Sequence, residues 1–116
     1  MTEKYCTDGI KVVDLVSMDI LELLHQIEKR PLFVLPERSI QSLDAFLNGW
    51  FIGRGYDADN GVMSRFSKYV DKNFDVNTTH GWARIIAHYS QDSYDALDQF
   101  FRLFNEFLNE EGTGNL

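Results

Sequence analysis

Cysteine is almost missing from this chain. Cys6 stands alone among 116 residues, so no internal disulfide can form, which fits a reducing compartment. Proline is nearly as scarce, with Pro31 and Pro36 both in one connecting stretch. No apolar run approaches the roughly 20 residues of a membrane span. The start, Met-Thr-Glu-Lys-Tyr-Cys, lacks the basic lead and unbroken apolar core of a secretory signal. The cytoplasm is therefore the expected location. Positive charge is short as well: 11 Lys and Arg against 18 Asp and Glu leave a net charge of −7. Residues 1–56 carry eight acids and six bases, and residues 57–116 ten acids and five bases. Such a surface repels phosphate backbones and anionic lipid, so neither nucleic acid nor membrane is an expected partner. A basic protein would be drawn in and its encounter accelerated.

What is present is core-building material. Aromatics make up 14% of the chain, nine of them Phe, and the length matches one domain that needs no disulfide or metal. The pattern predicts an all-α, compact bundle of about five helices filling 1–116 as a single domain. Residues 1–15 are a poorly defined lead-in whose Val12, Val13, Leu15 and Val16 suit a short strand or the approach to a helix. Ser17 is the expected N-cap of the first helix, with Asp19 near its positive end, and Ile20, Leu23, Leu24 and Ile27 follow at helical spacing. Pro31 ends it, with Lys29 and Arg30 in the last turn. The connector 32–38 is apolar and is expected to fold onto the core.

Ser39 caps the next helix, with Ile40, Leu43, Phe46, Leu47, Trp50 and Phe51 on its apolar face. Gly49 and Gly53 inside it are expected to let another helix approach closely, and Gly55 to stop it. A loop at 57–61 precedes a stripe of Val62, Phe66, Tyr69, Val70 and Phe74. Asn77-Thr78-Thr79 matches a glycosylation acceptor, but Thr79 reads better as the cap of a helix with Trp82, Ile85, Ile86 and Tyr89 inward. The last helix carries Tyr94, Leu97, Phe101, Phe104 and Leu108, with Phe100, Leu103 and Phe107 beside them, and is the candidate central helix. That set spans barely two heptads, which favours core packing in a monomer over a coiled-coil dimer. Gly112 ends the helix and 112–116 is expected to be a mobile tail.

Chemistry is harder to find. Glu22-x-x-His25 matches half of a carboxylate-bridged di-iron motif, but neither His80 nor His88 has an acid three residues earlier. His25 also lies off the apolar stripe and is expected on the surface. Asp57-x-Asp59-Asn60-Gly61 opens like a calcium loop, yet glycine comes fifth and Lys68 occupies position twelve. His80 and His88 are eight residues apart on one helix, a rotation of about 80°. No nucleophile elbow or phosphate-cradling glycine loop is present. No metal, cofactor or catalytic set is expected, and the chain reads as a binding protein, not an enzyme.

Candidate contacts are exposed acids near aromatics: Asp57 and Asp59 beside Tyr56, and Asp92, Asp95 and Asp98 along the last helix with Tyr89 and Tyr94 at its start. Aromatics supply burial in an interface and charges set orientation and on-rate. Each has a plainer use. Asp92 and Asp95 suit helix capping, and Tyr89 and Tyr94 suit core packing. Glu110 and Glu111 stand at the unfavourable end of the helix dipole, which capping does not explain.

Four stretches carry a family likeness. They are Leu23-Leu24-x-x-Ile27-x-Lys29-Arg30-Pro31, Ser39-Ile40-x-x-Leu43-x-Ala45-Phe46-Leu47-x-Gly49-Trp50, Gly81-Trp82-Ala83-Arg84-Ile85-Ile86 and Ala96-Leu97-x-x-Phe100-Phe101. Over about residues 20–108 the chain resembles small bacterial immunity proteins of contact-dependent growth inhibition and related polymorphic toxin systems. The matching residues are mostly core and turn positions. Where such proteins carry a glycine and methionine-type turn after Arg-Pro, this chain has Leu32-Phe33-Val34. The resemblance implies a cytoplasmic protein that binds a cognate toxin, often a nuclease with a basic active site, and covers it. The alternative is an acidic helical interaction or regulatory module with no toxin partner. An enzyme with an unrecognised carboxylate site is a third class, which bound metal in the purified protein would favour.

Overall fold

The computed structural model describes residues 6–7, 10–11, 19–55, 61–76 and 81–116. Among these the order is β1 (Cys6–Thr7), β2 (Ile10–Lys11), α1 (Ile20–Lys29), α2 (Pro31–Val34), α3 (Ile40–Arg54), α4 (Val62–Asn73), α5 (Trp82–His88) and α6 (Ser93–Glu110). The strands form one antiparallel pair, Cys6 opposite Lys11 and Thr7 opposite Ile10. Everything else of regular structure is helical, and the fold is all-α. The count is six helices where about five were expected, because a single turn forms inside the connector after Pro31.

Each helix begins where the sequence supplies an oxygen or a suitable backbone. The cap of α1 is Asp19, whose Oδ1 accepts from the Glu22 amide at 2.8 Å. The expected cap Ser17 lies outside the described residues. Both residue types can cap, and only the backbone decides which one stands at the boundary. Ser39 is buried at 1% exposure and its Oγ accepts from the Ser42 amide at 3.2 Å, as its position before α3 predicts. Gly81 stands at the start of α5, and the expected cap Thr79 is outside the described residues. Asp92 starts α6, accepting from the Asp95 amide at 2.8 Å.

α6 is the axis of the molecule. It buries eight residues, Ala96, Leu97, Phe100, Phe101, Leu103, Phe104, Phe107 and Leu108. It packs against α3, α4 and α5, while α2 packs against α1. Apolar residues on two adjoining faces let one helix serve several neighbours. At the centre lies Phe66 of α4. Its ring meets Trp82, Phe100, Phe104 and Phe107 with centroids 6.0, 5.4, 4.9 and 5.6 Å away.

Several local expectations fail. The connector does not fold wholly inward: Leu35 is buried and Val34 packs on the core, but Leu32 and Phe33 are 67% and 55% exposed. Proline at N1 starts a turn at Pro31, and one helical turn cannot point four side chains the same way. Tyr89 leaves the apolar stripe because α5 ends at His88. Gly49 and Gly53 lie on the exposed face of α3, where an added Cβ would meet nothing within 4 Å, so they admit no neighbouring helix. Gly49→Ala should therefore raise the unfolding free energy by about 0.5–1 kcal/mol, by relieving the backbone entropy that glycine loses in a helix. Urea titration measures it, and a loss of stability would show that this face is covered.

The last residues return along α6. Thr113 donates its amide to the Leu108 carbonyl at 2.9 Å, and Asn109 Nδ2 donates to Asn115 Oδ1 at 2.6 Å. Asn105 joins three segments: its Nδ2 donates to Glu28 Oε2 at 3.2 Å and its Oδ1 accepts from the Leu116 amide at 2.7 Å. The tail expected to be mobile is thus hydrogen-bonded to the helix before it. No helix of the described residues is long and apolar enough to cross a membrane.

Candidate functional site

The candidate contacts fall in two stretches of the sequence, and only one of them is described. Tyr56, Asp57 and Asp59 lie outside the described residues. The other five, Tyr89, Asp92, Tyr94, Asp95 and Asp98, run from the end of α5 through the first turns of α6.

The corner between α5 and α6 is built by short-range bonds. The Tyr89 amide donates to the Ile85 and Ile86 carbonyls at 3.3 and 3.2 Å, closing α5. Ser90 Oγ donates to the Ile86 carbonyl at 2.7 Å. Asp95 Oδ2 accepts from the Gln91 amide at 2.9 Å while Asp92 Oδ1 accepts from the Asp95 amide, so the two carboxylates hold the turn from both sides. Negative charge here also faces the positive end of α6. Asp98, one turn further on, forms an ion pair with Arg38, which follows α2.

Capping leaves both aspartates capacity to spare, since a carboxylate accepts at about four positions. Asp98 is 58% exposed at its side chain and its pair is open to water. Surface pairs of this kind contribute about 0–1 kcal/mol.

The tyrosines are not core residues. Tyr89 is 55% exposed and Tyr94 52%. Tyr89 stacks on Phe74, with centroids 4.8 Å apart and planes at 10°, and His88 meets it edge-on at 4.9 Å. One ring is therefore braced from below, while the other stands on the first turn of α6. Half-exposed aromatic rings are enriched in protein interfaces, whereas aspartates are depleted there and bear on orientation and on-rate.

The far end of α6 holds the acids that capping did not explain. Arg65 of α4 forks onto Glu111, with Nε 2.8 Å from Oε2 and a second nitrogen 3.3 Å from Oε1. Arg102 reaches Glu106 at 2.9 Å one turn along the same helix. Tyr69 donates to Glu106 Oε1 at 3.5 Å. Its hydroxyl is pushed up to about 12 by burial first, then by the charges of Glu110 and Glu106 and their hydrogen bonds to it. The placement is thus structural in part: two cations and a phenol from α4 and α6 fasten these carboxylates. The pair Arg102 and Glu106 is visible as an i, i+4 spacing. Arg38–Asp98 and Arg65–Glu111, 60 and 46 residues apart, leave no local signal.

The described residues include shallow grooves on the flanks of the bundle. One, between the α1–α2 corner and α6, is lined by Glu28, Pro31, Arg38, Leu97, Phe101 and Asn105 among others. The second, between α3 and α5, includes Asp44, Ala45, Ala83 and Arg84, and burial there raises the Asp44 carboxyl above its ordinary value. His25 is half-buried, not on the surface as expected, and its Nδ1 is enclosed without a hydrogen-bond partner, as is Asp71 Oδ1. Among the described residues no three His, Cys, Asp or Glu side chains gather where they could hold a metal ion.

Comparison with known protein families, curated proteins and solved structures yields no match. The likeness to immunity proteins therefore rests on the four sequence stretches themselves.

Proposed function

We propose that this chain is a non-enzymatic immunity protein of the cytoplasm. It binds a cognate bacterial toxin domain with a basic active site, such as a ribonuclease, and covers that site. The observation that supports this most is the α5–α6 corner. Tyr89 and Tyr94 are both more than half exposed, and the same stretch of chain carries three carboxylates each held by a hydrogen bond or ion pair. The rings supply apolar area that desolvates on contact, and the aspartates match a surface shaped to hold phosphate. Because the turn is already tied by its own hydrogen bonds, little ordering remains to be done on binding.

The test is co-expression with the product of the neighbouring reading frame. The chain should copurify with that product and restore growth to cells that produce it. Tyr94→Ala should weaken the complex by about tenfold or more, in the range of an aromatic hot spot. Thermal unfolding should stay nearly unchanged, since half of that side chain is already in water. Affinity should also fall as salt rises. A complex that forms without rescuing growth would favour the interaction module with no toxin partner. A partner whose contact surface is anionic would overturn the assignment.

A further inference from the structure

We infer that residues 113–116 form a strap that opens and closes one end of the groove between the α1–α2 corner and α6, and that Asn105 transmits the state of this strap to α1. The strap begins with a reversal. Gly112 takes φ 82°, the left-handed conformation that ends many helices. Its amide donates to the Asn109 carbonyl at 3.1 Å and the Thr113 amide to the Leu108 carbonyl at 2.9 Å, so the chain turns back over the helix it has just left. Two asparagines one turn apart on α6 then receive it. Asn109 Nδ2 donates to Asn115 Oδ1, and Asn105 Oδ1 accepts from the Leu116 amide. Leu116 itself packs against the core.

The Asn105 side chain can face only one way. An ionised carboxylate such as Glu28 only accepts, and a backbone amide such as that of Leu116 only donates. Nδ2 therefore points to Glu28 and Oδ1 to Leu116, and each partner holds the amide in the orientation that the other requires. Loss of either one frees it to rotate. Glu28 and Asn105 also line the groove beside Leu97 and Phe101. With the strap closed, Asn105 spends both of its polar atoms on α1 and the tail. With the strap open, its oxygen and the apolar seat of Leu116 are uncovered at that end of the groove. The bonds that hold the strap are exposed or half-buried, the kind that open locally while the core stays folded.

Hydrogen exchange of the whole chain, followed by NMR, reads the strap directly. The Leu116 amide should be protected, and its exchange should ignore low urea because opening exposes little surface. The Phe104 amide, central in α6, should instead exchange through unfolding that urea promotes. Glu28→Ala should speed exchange at Leu116 about fivefold, although the hydrogen bond it removes is to Asn105. Glu28→Gln should restore the slow rate, because its carbonyl accepts from Asn105 as the carboxylate does. Leu116→Ser should open the strap. A soluble neutral gadolinium chelate should then broaden the Asn105 side-chain amide more strongly than in the parent chain and leave the Tyr94 amide as it was. An unprotected Leu116 amide, exchange there only by global unfolding, a rate indifferent to Glu28→Ala, or one that Glu28→Gln fails to restore overturns the inference. So does Leu116→Ser without added broadening at Asn105. None of these readouts involves a toxin or the exposed tyrosines as binding groups.

Discussion

Phe66→Ala should lower the unfolding free energy by about 3–5 kcal/mol. Phe66 is fully buried, and its ring touches aromatics from both α5 and α6. Removing it takes away the transfer free energy of a whole ring and leaves a void among Trp82, Phe100, Phe104 and Phe107. Those rings are held on helix backbones and cannot close the space without leaving their rotamers. The edge-to-face contacts of Phe66 with Trp82, Phe100 and Phe107 disappear too, each contributing about 0.5–1.5 kcal/mol. Domains of this size are stable by about 5–15 kcal/mol, so the variant should be marginal. Phe66→Leu, which keeps most of the volume, should cost clearly less. Urea denaturation of both gives the comparison. A loss below about 1 kcal/mol for the alanine variant would mean that the α4–α5–α6 junction is not the centre of the core.

Gly55→Ala should destabilise by about 1–3 kcal/mol for a different reason. Gly55 ends α3 with φ 97° and ψ 144°, and its amide donates to the Phe51 carbonyl at 2.7 Å. Residues with a Cβ rarely adopt that backbone conformation. A Cβ there would meet nothing within 4 Å, so the cost is backbone strain and not a clash with a neighbour. The same substitution at Gly49, in regular helix, has the opposite expected sign. Measuring both variants by the same unfolding curve separates conformational strain from side-chain volume. Equal effects at the two positions would contradict the distinction.

Helical periodicity found most of the core, although Tyr94, which heads the α6 stripe, is 52% exposed. Ile20, Leu23, Leu24 and Ile27 are all buried, as are Leu97, Phe100, Phe101, Phe104 and Leu108. Periodicity cannot tell where a helix stops. Tyr89 continues the stripe of Trp82, Ile85 and Ile86 on paper, but the chain has already left the helix at His88. Nor does apolar character guarantee burial in a single turn, as Leu32 and Phe33 show. The glycines of α3 were misread because spacing reveals which residues share a face, not whether that face has a neighbour. Of the candidate contacts, the sequence shows only that Tyr89 to Asp98 lie within ten residues of chain. The clamp of Arg38 on Asp98 leaves no such trace, since it depends on how α2 lies against α6.

The two tryptophans occupy unlike surroundings. Trp82 lies 5.0 Å from Phe100 at the junction of α5 and α6, whereas Trp50 has the Arg54 guanidinium over its ring at 4.9 Å and Phe51 against its edge. A positive charge beside an indole and a hydrocarbon enclosure act differently on its emission. The protein therefore carries two intrinsic optical probes, one on the α3 segment and one on the aromatic junction. Replacing either with Phe leaves the other to report its own neighbourhood alone.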